Sequence, residues 1–233
     1  SPAKQEDRMH QIAPMSEDQM AIKDAVAKTI APFDDDYWLK TDETGNWPEE
    51  FCDAMAKGGW LGIAFPEEYG GAGLGLTEAA LMMQTVTRSG AGYSGASAIH
   101  LNIFGPKPLE KFGTPEQKQE NLPKIISGEE KMCFAVTEPN SGLDTSSLET
   151  KAERTNNGYV INGRKIWTTG AQRADKILII ARTSAPSRTL ACRYSIQTST
   201  GTGSKPTRSR KWAARPSSAT RCSSTGWKCR KRT

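Results

Sequence analysis

The segment from Met132 to Thr169, MCFAVTEPNSGLDTSSLETKAERTNNGYVINGRKIWTT, most constrains what this chain can fold into, because strand periodicity and a chemical signature coincide there. Cys133 to Val136 is a β-prone run that passes into Thr137-Glu138-Pro139-Asn140-Ser141-Gly142, where Pro and Gly end the strand. Small polar residues in that turn are expected to leave backbone N–H groups free to hold a ligand. Farther on, two β-prone runs between Tyr159 and Trp167 flank an Asn162-Gly163 pair, the strongest short-range hairpin signal, before Thr168-Thr169. A hairpin domain with a buried Trp would give the same pattern without any ligand.

The residues before this segment read as helices. After a polar leader over 1–14, expected to be disordered, Ser16-Glu17-Asp18-Gln19 makes a capping box. Met20, Ile22, Ala25, Val26 and Ile30 then follow at helical spacing until Pro32. A second helix is predicted from Pro48 through Phe51, Met55 and Ala56 to the Gly58-Gly59 stop, with Trp60 to Phe65 buried behind it. Pro66 to Gly75, PEEYGGAGLG, invites comparison with a dinucleotide-binding glycine loop. That loop needs a strand before it and an acidic residue about 20 positions beyond, whereas a helix precedes this one and Ala91 to His100 holds no acid.

Thr77 is expected to cap a helix through Ala79, Leu81, Met82, Val86 and Thr87, its Met pair serving as core. Ser94 to Phe104 suits a buried helix. His100 within it has no Cys, Asp or second His at ligand spacing and reads as a core or interface residue. Thr114-Pro115-Glu116-Gln117 caps a last helix ending near Gly128. The fold class expected is α+β: an all-α amino-terminal domain over 15–128, then an incomplete antiparallel β domain over 129–186, then a non-periodic basic tail over 187–233.

The chain of 233 residues is long enough for one large or two small domains, and its net charge of +5 is unevenly spread. From Ser184 onward there are 12 Lys or Arg and no acid, which leaves 19 of the 31 basic residues against 26 acidic ones before it. Five cysteines without C-x-x-C spacing indicate neither a disulfide framework nor a zinc site, so no metal is expected and a reducing compartment is the default. No run approaches the roughly 18 apolar residues of a membrane span, and no apolar signal-peptide core follows Ser1.

Phe134 to Asp144 and Trp167 to Thr169 resemble the flavin-binding middle domain of the acyl-CoA dehydrogenases, with its Y/F-x-V-T-E-P-x-x-G-S-D and W-I-T/S segments. The spacing and the intervening N-G-x-K match as well. PEEYGGAGLG, and F-G-T-P-E-Q-K from Phe112 to Lys118, resemble the amino-terminal domain of the same family, so the resemblance covers about Met15 to Thr183. It implies FAD as cofactor, with Phe134, Ala135, Val136 and Thr137 bordering the isoalloxazine ring and Thr137 hydrogen-bonded to it. Ser141, Gly142 and Thr168 complete the contacts, while Trp167 packs on the ring and Thr169 lies near its N5 edge. Leu143 stands where the family usually has Ser, so only a backbone contact to substrate is expected there, with Ser141 able to compensate.

The implied reaction is α,β-dehydrogenation of an acyl-CoA thioester to the 2-enoyl-CoA, with an electron-transfer flavoprotein or similar acceptor and a homo-oligomeric assembly. A desolvated Glu removes the α proton, and in the family it belongs to a carboxy-terminal helical domain. No acid of this chain can be nominated for it, so a truncated, inactive form that binds FAD weakly or not at all is expected. The family leaves mitochondrial, peroxisomal and cytoplasmic locations open. An acyl-CoA oxidase-like flavoprotein is a second enzyme reading. A different class is a non-catalytic binding protein with a degenerate dehydrogenase body and a basic tail for nucleic acid.

The tail also admits an explanation in the genetic code. Read one base earlier, Lys211-Trp212-Ala213 gives Met-Gly if Lys211 is AAA, and Trp227-Lys228-Cys229 gives Glu followed by Val or Met. With permitted codons the continuation is Pro-Glu-Glu, and both phrases resemble family elements at about their usual spacing. A frameshift or missed intron between about Thr183 and Lys205 is therefore expected, with Ser187 to Thr233 out of frame.

Overall fold

The computed structural model describes residues 15–156 and 158–183 and, beyond them, only strand backbone at 192–193, 196–198, 207–208 and 219–230. Helices come first: α1 (Glu17–Ile30), α2 (Asp35–Thr44), α3 (Glu49–Lys57), α4 (Leu76–Val86), α5 (Gly92–Phe104), α6 (Lys107–Phe112) and α7 (Pro115–Ile126). Both predicted capping boxes form. Ser16 Oγ accepts from Gln19 N–H at 3.1 Å while the Gln19 side chain accepts from Ser16 N–H at 3.2 Å, and Thr114 and Gln117 repeat the exchange.

Local features differ from the sequence expectation, which also lacked α6. Helix α2 was not anticipated, although Asp34 caps it by accepting from Tyr37 N–H at 3.0 Å and Gly45 ends it in the left-handed region at φ 67°. Thr77 lies inside α4; the cap is Gly75, whose N–H donates to the Glu78 carboxylate at 3.0 Å. Pro48 stands one residue before α3 rather than at its first position. The helices close over Val26, Ile30, Trp38, Phe51, Met55, Met82, Val86 and Ile99, with Phe51 edge-on to Trp38 at 5.0 Å and to Phe33 at 5.5 Å. In the Pro66–Gly75 loop Gly71 serves packing, since a Cβ on it would stand 2.1 Å from the Phe65 carbonyl oxygen, whereas Gly70 and Gly73 take left-handed turns at φ 87° and 67°.

The strands are β1 (Met132–Ala135), β2 (Lys151–Thr155), β3 (Gly158–Thr169), β4 (Lys176–Ile179), β5 (Ala181–Thr183), β6 (Cys192–Arg193), β7 (Ile196–Thr198), β8 (Thr207–Arg208) and β9 (Ala219–Arg230). They form two sheets, ordered β1-β4-β7 and β6-β5-β2-β3-β9-β8. The arrangement is mixed rather than purely antiparallel, since β1 pairs with β4 and β2 with β5 in parallel. The long connection carrying β2 and β3 lets β1 and β4 run the same way. Cys133, Ala135, Ile177 and Ile179 of one sheet pack on Ala152, Ile161 and Ala181 of the other.

The hairpin expected at Asn162-Gly163 is not there. β2 and β3 turn between Thr155 and Gly158, and Gly163 sits inside β3, where a Cβ would stand 2.7 Å from Thr150 Cα. Glycine marks a close backbone approach at that point instead of a turn. Strand backbone at β6 to β9 falls within the basic segment expected to lack regular structure. The remainder of 187–233, like the leader over 1–14, lies outside the described residues.

Helices and sheets are joined by polar contacts. Asn102 on α5 accepts from Met132 N–H at 3.0 Å and donates to the carbonyls of Ile125 and Glu130. Glu49 pairs with Lys131 at 2.7 Å and with Arg173, and Lys176 Nζ meets Asn121 Oδ1 at 2.6 Å and Glu130 at 2.9 Å. These contacts set β1 against α5, which positions the site.

Candidate functional site

Along β1 the side chains alternate. Cys133 and Ala135 are buried in the sheet interior, so Ala135 can offer a ligand only its backbone. Phe134 is half-buried on the other face, edge-on to Phe104 of α5 at 5.4 Å, and Phe104 stacks on His100 at 5.1 Å. His100 Nδ1 lies 3.0 Å from the Ser97 carbonyl, and burial pushes its imidazole below the usual value. That environment matches the expected core or interface histidine, here forming part of an aromatic wall.

After β1 the chain makes a tight turn. Glu138 N–H donates to the Ser141 carbonyl at 2.9 Å, and Ser141 N–H donates back to Glu138 at 3.2 Å. Two of the N–H groups expected to be free for a ligand are therefore used within the turn. The Ser141 side chain is buried and donates to the Asp144 carbonyl, so its hydroxyl hydrogen is not available to replace a missing Ser at position 143. Asp144 is held by Ser146 N–H at 3.0 Å and by the Ser146 and Ser147 hydroxyls, which keep its carboxyl below the usual range. It acts as a turn residue. Beside it Leu143 is fully exposed, and no protein atom among the described residues lies within 4 Å of where a Cβ of Gly142 would stand.

The second half of the site depends on a β-bulge. In the β3–β9 ladder, Lys165 pairs with Cys222 and Thr168 with Thr220, so β3 advances one residue more than its partner. The extra step centres on Trp167, the one non-glycine among the described residues with positive φ, 59°. Bulky residues adopt this left-handed conformation only under local constraint. Its effect is to break the inside–outside alternation. Lys165 and Thr168 are both buried, at 5 % and 0 % exposure, while Trp167 between them is turned outward at 54 %.

The two halves meet directly: Ile166 N–H, next to the bulge, donates to the Thr137 carbonyl at 2.9 Å. The bond joins the segment of half-buried Val136 and Thr137 to the one that carries exposed Trp167 and, two residues on, half-buried Thr169. A flat, partly polar ring needs an aromatic face with a few fixed polar groups beside it, and these residues fit that need. Thr168 differs from the rest, because its side chain faces inward and its hydroxyl has no hydrogen-bond partner among the described residues. It can meet a ligand through its backbone alone.

Behind this junction lies an interaction with no assigned place in the sequence expectation. Lys165 Nζ lies 2.7 Å from Glu138 Oε1 and 2.8 Å from the Val136 carbonyl, with both charged side chains buried. Glu138 also accepts from Glu149 N–H at 2.5 Å, from Thr150 N–H at 3.0 Å and from the Thr150 hydroxyl. Burial pushes the Glu138 carboxyl up, but the hydrogen bonds from Lys165, Thr150 and the Glu149 and Thr150 backbone together outweigh it and hold the carboxyl below its usual range.

Separately, a cavity of about 50 Å³ between α3, α5 and β1 is lined by residues including Cys52, Leu101, Asn102 and Met132, and by none of the ring-facing residues above. Burial there pushes the Cys52 thiol up to about 11. Among the described residues no cluster of His, Cys, Asp and Glu could hold a metal ion, and no helix is long and apolar enough to cross a membrane.

Comparison with known proteins agrees with this geometry. The family model "Acyl-CoA dehydrogenase, N-terminal domain" matches residues 16–129, and "Acyl-CoA dehydrogenase, middle domain" matches residues 133–223. A Bacillus subtilis protein named "Probable acyl-CoA dehydrogenase YngJ" is 40 % identical over 164 residues, covering 70 % of this chain and 41 % of that protein. The mitochondrial isovaleryl-CoA dehydrogenase of Solanum tuberosum is 37 % identical over 171 residues, covering 71 % of this chain and 40 % of its own length. The chain thus spans about two-fifths of the length of these curated relatives. In fold it is similar to a glutaryl-CoA dehydrogenase from Mycobacterium smegmatis solved in complex with FADH2, with a TM-score of 0.78, 23 % identity and coverage of 89 % of this chain and 52 % of the other. With its helical part matched by one family model and its strands by the next, the chain belongs to the acyl-CoA dehydrogenase family.

Proposed function

We propose that the protein to which these residues belong is an FAD-dependent acyl-CoA dehydrogenase that converts an acyl-CoA thioester to the 2-enoyl-CoA and passes the electrons to an electron-transfer flavoprotein or similar acceptor, as a homo-oligomer. The observation that carries this reading is the backbone bond from Ile166 to Thr137, which joins the Val136–Thr137 segment to the segment carrying Trp167 and Thr169 and supports reading the two together as one ring-binding edge. Bound there, FAD supplies the acceptor for the hydride that leaves the β carbon. The chain's own residues hold and orient: the Trp167 indole covers one face, Thr137 and Thr169 offer polar contacts at the edge, and Phe134, Phe104 and His100 wall off water. Leu143 lies beyond Gly142 and brings an apolar side chain toward the thioester position in place of a hydroxyl.

None of the acids near this edge is free to take the α proton. Glu138 is consumed by its ion pair and Asp144 by its turn. The base is therefore carried by residues other than these. The basic segment Ser187 to Thr233 is read as out of frame. The curated relatives quoted above match over 164 and 171 residues, short of the 233 in the chain, while the middle-domain family model reaches residue 223.

Titration of the purified chain with FAD tests the flavin edge. Uptake should quench flavin fluorescence, and Trp167→Leu should weaken it by about tenfold, the effect of roughly one stacked aromatic contact. Uptake, however weak, that is indifferent to Trp167→Leu would overturn the assignment. Sequencing the transcript across the codons for Thr183 to Thr233 tests the frame: a one-base correction or intron removal restoring Met-Gly and the E-V-P-E-E phrase is the expected result.

A further inference from the structure

We infer that Lys165 and Glu138 are a pair of positioning residues: their buried ion pair, together with the Lys165 bond to the Val136 carbonyl, locks the Trp167 bulge of β3 against the Val136–Thr137 edge of the strand before it. The inference rests on the flavin reading for what the locked edge binds, but not for the lock itself. Three observations lead to it. Lys165 is the last residue in register before the bulge, and Ile166, the next residue, makes the backbone bond to Thr137. The ammonium therefore reaches across to Val136 and Glu138, on both sides of the residue that Ile166 holds. The charges are also removed from solvent, with side-chain exposures of 6 % for Lys165 and 4 % for Glu138, so neither is a surface pair that water could replace.

Finally, the left-handed conformation of Trp167 needs something to oppose its return to ordinary strand geometry. Reversion of Trp167 to ordinary strand φ would restore the inside–outside alternation that follows Lys165 and turn the indole to the opposite face of the sheet. Lys165 on one side and the buried Thr168 on the other fix where the extra residue must sit. Glu138 in turn is held from the far side by Thr150 and the Glu149 backbone, at the entry to β2. The lock thus ties three consecutive strands to one carboxylate.

The test compares wild-type chain with Lys165→Met, Lys165→Arg and the double variant Glu138→Gln/Lys165→Met. The double variant removes both charges and so avoids leaving a bare buried carboxylate if the single variant fails to fold. Hydrogen exchange, followed residue by residue, reports the Ile166 amide against amides inside the helices such as those of Val26 and Met55. The lock predicts that Ile166 protection drops at least tenfold in the double variant while the helical amides keep theirs, and that Lys165→Arg recovers part of it. Added FAD supplies the functional readout: the double variant should lose at least tenfold in affinity and show flavin absorption and fluorescence closer to those of free FAD.

Unchanged Ile166 protection in a folded double variant would overturn the lock. Lost protection with wild-type FAD affinity and spectrum would overturn its positioning role. Wild-type FAD uptake that is indifferent to Trp167→Leu would instead fail the flavin reading, and the exchange measurement would still decide the lock.

Discussion

The helical region and the strand region stabilise themselves by different means. Phe51, Met55, Met82, Val26 and Val86 are completely buried, and their volumes fill the space among α1, α3 and α4. Between the sheets the buried side chains mix alanines, Ala135, Ala152, Ala174 and Ala181, with Ile161, Ile177 and Ile179, and beside them the Glu138 carboxylate is buried and bonded by Lys165, Thr150 and the Glu149 backbone. An apolar interior responds to lost volume in proportion to the cavity made. A buried ion pair responds to the loss of one partner far more steeply than to the loss of both. The helical region is thus a general scaffold, whereas the strand region concentrates its specificity in a few polar contacts beside the ligand edge.

Mutations that separate the two responses sharpen this contrast. Phe51→Ala should cost about 3–5 kcal/mol in urea unfolding, the range for removing a buried aromatic. Lys165→Met should cost a similar amount, about 3–5 kcal/mol, by leaving Glu138 buried and unpaired. The distinguishing result is reversal: adding Glu138→Gln should recover much of the Lys165→Met loss, while no second charge change should recover Phe51→Ala. If the double variant is as unstable as Lys165→Met alone, the ion pair is not the governing contact.

Acid titration separates the regions next. The folded-state carboxyl of Glu138 lies below its ordinary value of 4.5, so its contribution is fully present above that value and is lost as pH falls through the depressed folded one. Wild type should therefore lose stability below about pH 4.5 more steeply than Glu138→Gln in chemical unfolding at a series of pH values. Equal slopes would remove Glu138 from the account. A smaller effect of opposite sign is expected at Thr168, where Val in place of the unpartnered hydroxyl should stabilise by about 1 kcal/mol in the same unfolding assay. Smallest of all, Leu143→Ser should change stability by less than about 0.5 kcal/mol, because Leu143 is fully exposed. Any effect of Leu143→Ser on FAD or acyl-CoA affinity would then report the site rather than the fold.

Much of the helical region was legible because its signals are local. A capping box needs only residues three apart, and Ser16–Gln19 and Thr114–Gln117 form as their sequence implies. Helix α2 was missed although Asp34 and Gly45 mark its ends, because its polar sequence buries only Trp38 and Thr41 and so lacks a clear apolar stripe. In the strand region a local signal misled. Asn162-Gly163 has the composition of a turn, yet Gly163 is needed for the approach of Thr150, thirteen positions earlier in the chain.

The sequence by itself determined most of the helices with the Ser16 and Thr114 caps, and the family to which the chain belongs, because short spacings and motif strings carry that information. Only the tertiary structure decided how the residues of the two motif segments face. Burial turned Ala135, Ser141 and Thr168 inward, a bulge turned Trp167 outward, and an ion pair between residues 27 positions apart joined the two segments. Side-chain direction in a strand changes with every one-residue shift in register, and register is set by partners distant in sequence.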